Sequence, residues 1–171
     1  MATPTPPEFA NLNRFTGKVA LVTGGASGIG RGILDELCRE GAAVAFADLD
    51  PASEKLADEL NAKGHSVRAW VGNLEDEAFC RDFVAGAAEH FGRIDYLVNN
   101  AFSFTAKSHD ATEADWHRSF FVGPVAYARL LSAAAPHMQV NGGGAVVNIS
   151  SISAFIAQPH RWTYNAAKGA V

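Results

Sequence analysis

The stretch of this sequence that most limits its fold is an apolar run that ends in a glycine turn and opens into a helix. Lys18-Val19-Ala20-Leu21-Val22-Thr23 runs into Gly24-Gly25-Ala26-Ser27-Gly28-Ile29-Gly30. A short unbroken apolar run bounded by glycines reads as a buried strand. Ile33, Leu34 and Leu37 then recur at helical spacing, and Gly41 offers a stop. A strand-turn-helix of this kind lets backbone come close to a pyrophosphate, whose charge is met by free N–H groups at the helix start. Gly24, Gly28 and Gly30 have the spacing G-x-x-x-G-x-G. Such a turn is weak evidence alone, and its context between a strand and a helix strengthens it.

The same alternation continues along the chain. Strands are expected at Ala42 to Ala47, Ser66 to Val71, Ile94 to Val98 and Ala145 to Ile149. Helices are expected from Pro51, from the acidic Glu75-Asp76-Glu77 to about Phe91, and from Thr112 to about Met138. Acids in a first turn suit the helix dipole, and Thr112-Glu113-Ala114-Asp115 resembles a capping box. The strands are continuous apolar runs, as in parallel strands covered by helices on both faces. The fold class is therefore α/β, a Rossmann-like doubly wound parallel sheet in three layers, α/β/α.

With 171 residues, of which 48% are hydrophobic, the chain suits one domain. Its proline-rich start predicts a flexible arm over 1–14, followed by a dinucleotide-binding domain over 15–171. The arm lacks the basic and apolar regions of a signal peptide. A formal charge of −4 with no basic cluster argues against nucleic acid. No apolar stretch approaches the roughly 20 residues of a membrane span, so a cytoplasmic location is expected. Cys38 and Cys80 read as buried free thiols, and six scattered histidines suggest no metal site.

Asp48 closes the second expected strand. A carboxylate there can accept from both ribose hydroxyls of an adenosine and would repel a 2′-phosphate. Its neighbours Ser27 and Leu49 carry no compensating positive charge. This favours NAD over NADP. Near the end of the chain, Tyr164 and Lys168 are separated by one helical turn and so share a face. An ammonium favours the ionised form of a nearby phenol, which can then exchange a proton with an alcohol or carbonyl near neutral pH. A hydroxyl from Ser151 can hold the substrate oxygen.

These motifs resemble the short-chain dehydrogenase/reductase family, in the branch with TGxxxGxG and YxxxK, from about Phe15 to Val171. The resemblance implies a catalytic acid/base at Tyr164, a ribose-holding lysine at Lys168 and a substrate-orienting serine at Ser151, with Ser150 and Ser153 as competitors. It implies cofactor contacts from the glycine turn (Gly24, Ser27, Gly28, Ile29, Gly30), Asp48 and Leu49, Asn73 and Leu74, and Asn99 and Ala101. Gln158 and Trp162 fall in a segment that borders the family's substrate pocket. The implied activity is NAD-dependent hydride transfer between a secondary alcohol and a ketone, with a non-catalytic NAD-binding remnant as the alternative. The family also forms oligomers through the long helix.

Three departures stand out. Phe102 replaces the glycine usual in the Asn99-Asn100-Ala101 turn and is expected to narrow the site. Gly123, followed by Pro124, stands where many members have an asparagine that holds a water linked to the lysine. This pair predicts a kink whose freed carbonyls could hold that water. Finally, the family's further strands and substrate loop would lie past Val171. The chain therefore reads as a fragment, with a natural truncation as the alternative, and has barely one helical turn after Tyr164 to fix the catalytic pair.

Overall fold

The computed structural model describes residues 13–171. Five strands form one sheet: β1 (Val19–Thr23), β2 (Ala43–Asp48), β3 (Ser66–Val71), β4 (Tyr96–Asn99) and β5 (Ala145–Asn148). All neighbours are parallel, in the order β3-β2-β1-β4-β5. The helices are α1 (Gly28–Arg39), α2 (Ala52–Asn61), α3 (Glu77–Phe91), α4 (Glu113–Phe120), α5 (Ala126–Val140) and α6 (Trp162–Ala170). Strand ends differ from the sequence expectation by one or two residues, and β3 matches it.

Side chains alternate across a strand, so one strand feeds two cores. Val22 of β1 packs with Leu34, Val44, Phe46, Leu56 and Val98 on the side of α1 and α2. Its neighbour Leu21 packs with Phe83, Leu97, Leu130 and Met138 on the side of α3 and α5. This is the three-layer, Rossmann-like architecture expected. Strand order reverses at β1, which lies between β2 and β4. The loops after β1 and β4 therefore leave opposite ways and open a crevice at the C-terminal ends of the strands.

The expected long helix is not continuous. Phe121–Val125 forms a π-helical turn between α4 and α5, and Gly123 within it has non-helical dihedrals (φ −92°, ψ −113°). Pro124 supplies no N–H to the ladder, so the kink sits where the sequence places it. The capping box at Thr112 and Asp115 is present. Of the expected arm, residues 1–12 lie outside the described residues. Arg14 belongs to the folded body instead, because its guanidinium pairs with the buried carboxylate of Glu40 at 3.0 Å. Cys38 and Cys80 are buried free thiols, and burial pushes them up to about 12 and about 11 respectively.

The opposite end of the sheet is held by Asp95. Its carboxylate is 3% exposed and accepts from the Val19 N–H at 2.9 Å, from Lys18 at 3.1 Å and from Arg93 at 2.6 Å. Burial alone would raise this carboxyl. The hydrogen bonds from Arg93, Val19 and Lys18 outweigh burial and hold it below the ordinary aspartate value of 3.8. Its contribution to stability is therefore complete above that value and is lost as pH falls through the lower, folded-state value. Asp95→Ala should cost about 3 kcal/mol, because it orphans a buried N–H and two cations. Urea unfolding at pH 7 checks this, and the difference between wild type and variant should shrink in acid.

Candidate active site

The crevice is a cleft of about 600 Å³. Gly24 and Ser27 line it from the glycine turn, Asp48 and Leu49 from the end of β2, Asn73 and Leu74 after β3, and Asn100, Ala101 and Phe102 after β4. Gly28, Ile29 and Gly30 sit beside it at the head of α1. The turn has a steric basis. Gly24 and Gly28 have φ of +68° and +55°, the left-handed region that glycine adopts without penalty. A β-carbon on Gly30 would overlap the Gly24 carbonyl oxygen and lie 2.5 Å from Asn100 Nδ2, whereas one on Gly28 would point into open space. The α1 N-terminus thus remains accessible to an anion while its rear face is closely packed.

Asp48 is tied to that turn. One carboxylate oxygen accepts from the Ala26 N–H at 2.9 Å and the other from the Asp50 N–H at 3.1 Å. The Asp48 carboxylate is thus oriented in part by the glycine turn itself. Asn73 is also constrained, since its amide accepts from the Glu75 N–H and donates to the Glu75 carboxylate. Together, the open turn, the oriented acid and the cleft fit a dinucleotide.

Of the paired asparagines at the end of β4, the second reaches the cleft. Asn99 is fully buried and donates to Asn148 across the β4–β5 pair at 2.8 Å, so its side chain is a strut between strands rather than a cleft group. Asn100 lines the cleft, and its amide donates to the Thr23 carbonyl at 2.9 Å and the Gly24 carbonyl at 3.3 Å. Thr23 Oγ1 in return accepts from the Asn100 and Ala101 N–H groups. Two further cleft residues, Arg118 and Val122, come from the helical segment before the kink. They carried no sequence signal, because a lone arginine and a lone valine on an amphipathic helix are unremarkable.

The short α6 is better anchored than its length suggests. Thr163 Oγ1 accepts from the Lys107 N–H at 3.1 Å and donates to the Thr105 carbonyl. Asn165 donates to the Ser153 and Ile156 carbonyls at 2.8 and 2.7 Å, and Ser150 donates to the Lys168 carbonyl at 3.3 Å. The pair, expected to be poorly fixed, is held by side-chain bonds to the loops after β4 and β5. Tyr164 is half-buried, with its ring against Phe102 (centroids 5.3 Å apart) and Phe104 (4.8 Å).

Lys168 is 3% exposed. Its ammonium donates to the Ile149 carbonyl at 2.7 Å and lies 6.0 Å from the Tyr164 ring centroid. Burial lowers it from 10.5 to about 8. Ser151 starts the 3₁₀ turn Ile152–Ala154, which packs on α6. Its hydroxyl donates to Ser153 Oγ at 3.1 Å, and Ser153 Oγ donates to Gln158 at 2.7 Å. Trp162 is exposed at the start of α6. The water expected beside Gly123 has no room on the side where Phe102 packs: a β-carbon on Gly123 would lie 2.5 Å from that ring.

Known proteins are similar to this chain in sequence and fold. The chain is 36% identical over 166 residues to the oxidoreductase UcpA of Escherichia coli K12, an alignment covering 94% of this chain and 62% of UcpA. It is 38% identical over 164 residues to the 1,6-dihydroxycyclohexa-2,4-diene-1-carboxylate dehydrogenase of Pseudomonas putida, covering 92% and 58% of the two chains. A solved 7α-hydroxysteroid dehydrogenase, in complex with NADH and 7-oxo glycochenodeoxycholic acid, superposes with a TM-score of 0.88 at 29% identity, over 92% of this chain and 62% of that one. The chain thus spans about three fifths of the length of these relatives. With the short chain dehydrogenase family model matching residues 18–171, it belongs to the short-chain dehydrogenase family of oxidoreductases.

Proposed function

We propose that the protein is an NAD-dependent oxidoreductase that interconverts a secondary alcohol and a ketone, with Tyr164 as general acid/base. One observation carries this reading. Asp48 and Phe102 line the same cleft, and the Tyr164 ring packs against Phe102. This adjacency supports reading the acid at the end of β2 and the tyrosine of α6 as parts of one site.

When bound, the nicotinamide accepts or supplies the hydride. The glycine turn and the α1 N-terminus hold the diphosphate, and Asp48 accepts from the adenosine ribose. Tyr164 takes the alcohol proton during oxidation and returns it to the carbonyl oxygen during reduction. Lys168 places positive charge beside the phenol and contacts the second ribose. Ser151 positions the substrate oxygen once its hydroxyl turns from Ser153. The exposed Trp162 and the half-buried Gln158 border the substrate. The protein works in the cytoplasm as a homo-oligomer on a small molecule. A second reading, cofactor binding without turnover, draws on the bare backbone at Gly123 and the aromatic face against Lys168.

Tyr164→Phe should lower turnover by about 10²-fold or more while NADH binding persists. Unchanged turnover would refute the mechanism, and NADH binding with no wild-type turnover on a panel of alcohols and ketones would favour the second reading. Fluorescence titration should show NADH binding about 10-fold or more tighter than NADPH, because Asp48 repels a 2′-phosphate.

Lys168 also predicts a trade of stability against function. Its folded value of about 8 lies below the unfolded 10.5, so the unfolded chain binds more protons between them. Stability from this group therefore rises with pH through that window. At pH 7, Lys168→Met should raise the melting temperature by about 2–4 °C while abolishing turnover, and this gain should fade by pH 10.

A further inference from the structure

Three residues meet at the aromatic ring of a fourth. Phe102 comes from the loop after β4, Gly123 from the π turn, and Tyr164 and Lys168 from α6. The Lys168 ammonium stands 3.9 Å above the Phe102 ring centroid, closer than to the Tyr164 ring. Tyr164 meets the same ring edge-on, at an interplanar angle of 84°. A β-carbon built on Gly123 would lie 2.5 Å from the edge of this ring.

The contacts are unequal in kind. The face of the ring carries negative charge density and attracts a cation, most strongly where water is excluded. Lys168 is nearly fully buried, and its described acceptor is the Ile149 carbonyl. The ring therefore supplies much of what replaces water around the ammonium. Its T-shaped contact also fixes where the Tyr164 ring stands relative to that charge. At residue 123, even a methyl group would penetrate the ring edge.

We infer that Phe102 is a positioning residue for the Tyr164–Lys168 pair, and that Gly123 is small because Phe102 occupies the space a side chain there would need. Positions 102 and 123 then behave as one coupled unit. This inference rests on the proton-transfer role proposed for Tyr164, and it concerns how the pair is held rather than what it does.

The test uses the full protein with Phe102→Leu, which keeps an apolar side chain of similar reach and removes the aromatic face. Losing the face destabilises the ammonium, so Lys168 should release its proton earlier. The alkaline limb of the pH–rate profile should move down by about half to one pH unit. NMR titration of the Lys168 side chain should show the same shift, independently of turnover. A purely structural role for Phe102 would lower activity at every pH and leave both midpoints in place, and that result overturns the proposal.

A double-mutant cycle tests the coupling. Gly123→Ala alone should lower turnover about 10-fold or more by displacing the ring. In a Phe102→Gly background the same change should cost little further, because no ring is left to displace, and additive losses overturn the pairing. The two readings fail differently. An active Tyr164→Phe enzyme removes the proton-transfer role itself. An inactive one, with an unmoved pH profile in Phe102→Leu, removes only the role of Phe102.

Discussion

The site depends on how closely Gly30 approaches the turn that precedes it. No β-carbon fits between Gly30, the Gly24 carbonyl and the amide of Asn100. That amide bridges the Thr23 and Gly24 carbonyls, while Thr23 Oγ1 receives two N–H groups from the loop after β4. Buried backbone groups need partners, and here the end of β1 and the end of β4 supply each other's. The two lips of the crevice are thus joined at its floor. The cleft is a fixed product of sheet topology and one reciprocal set of hydrogen bonds.

The polar groups divide between the two ends of the sheet. At the N-terminal end, Asp95 is surrounded by donors and stabilises the fold. At the C-terminal end, Lys168 is buried with a carbonyl and an aromatic face for company, and the fold works against its charge. Active sites are where perturbed groups of this kind concentrate. A scaffold with a well-satisfied base can accommodate an unfavourable cation at its mouth, and this asymmetry matches the placement of function at strand C-termini.

Much of the fold was legible because it depends on local patterns. The apolar runs predicted all five strands, and Gly123-Pro124 predicted the position of the kink. The cleft residues on the glycine turn and at Asp48 followed from spacing along a strand-turn-helix. What the sequence concealed were contacts between distant segments. Asp95 meets Lys18 across 77 residues, and no periodicity links them. The division of labour between Asn99 and Asn100 depends on which face of the sheet each side chain leaves. The anchoring of α6 by Thr163 and Asn165 could not be inferred from helix length, because side-chain bonds to loops were responsible. Phe102 and Gly123 each stood out as unusual, yet their contact joins a loop to a helix kink and needed the tertiary structure to be seen.

The bond from the Ala26 N–H to Asp48 has a consequence for redesign. With Asp48 read as the proposed ribose acceptor, swapping the residue at the end of β2 is the obvious way to retune which dinucleotide the protein accepts. Here the same carboxylate is a strut for the loop, so erasing its charge with an aliphatic residue would also free a backbone donor and slacken the turn. An engineer would do better to keep an oxygen at that position, as asparagine does, and to introduce positive charge at Leu49, whose side chain is exposed beside the cleft. Nucleotide preference and loop geometry would then be adjusted separately.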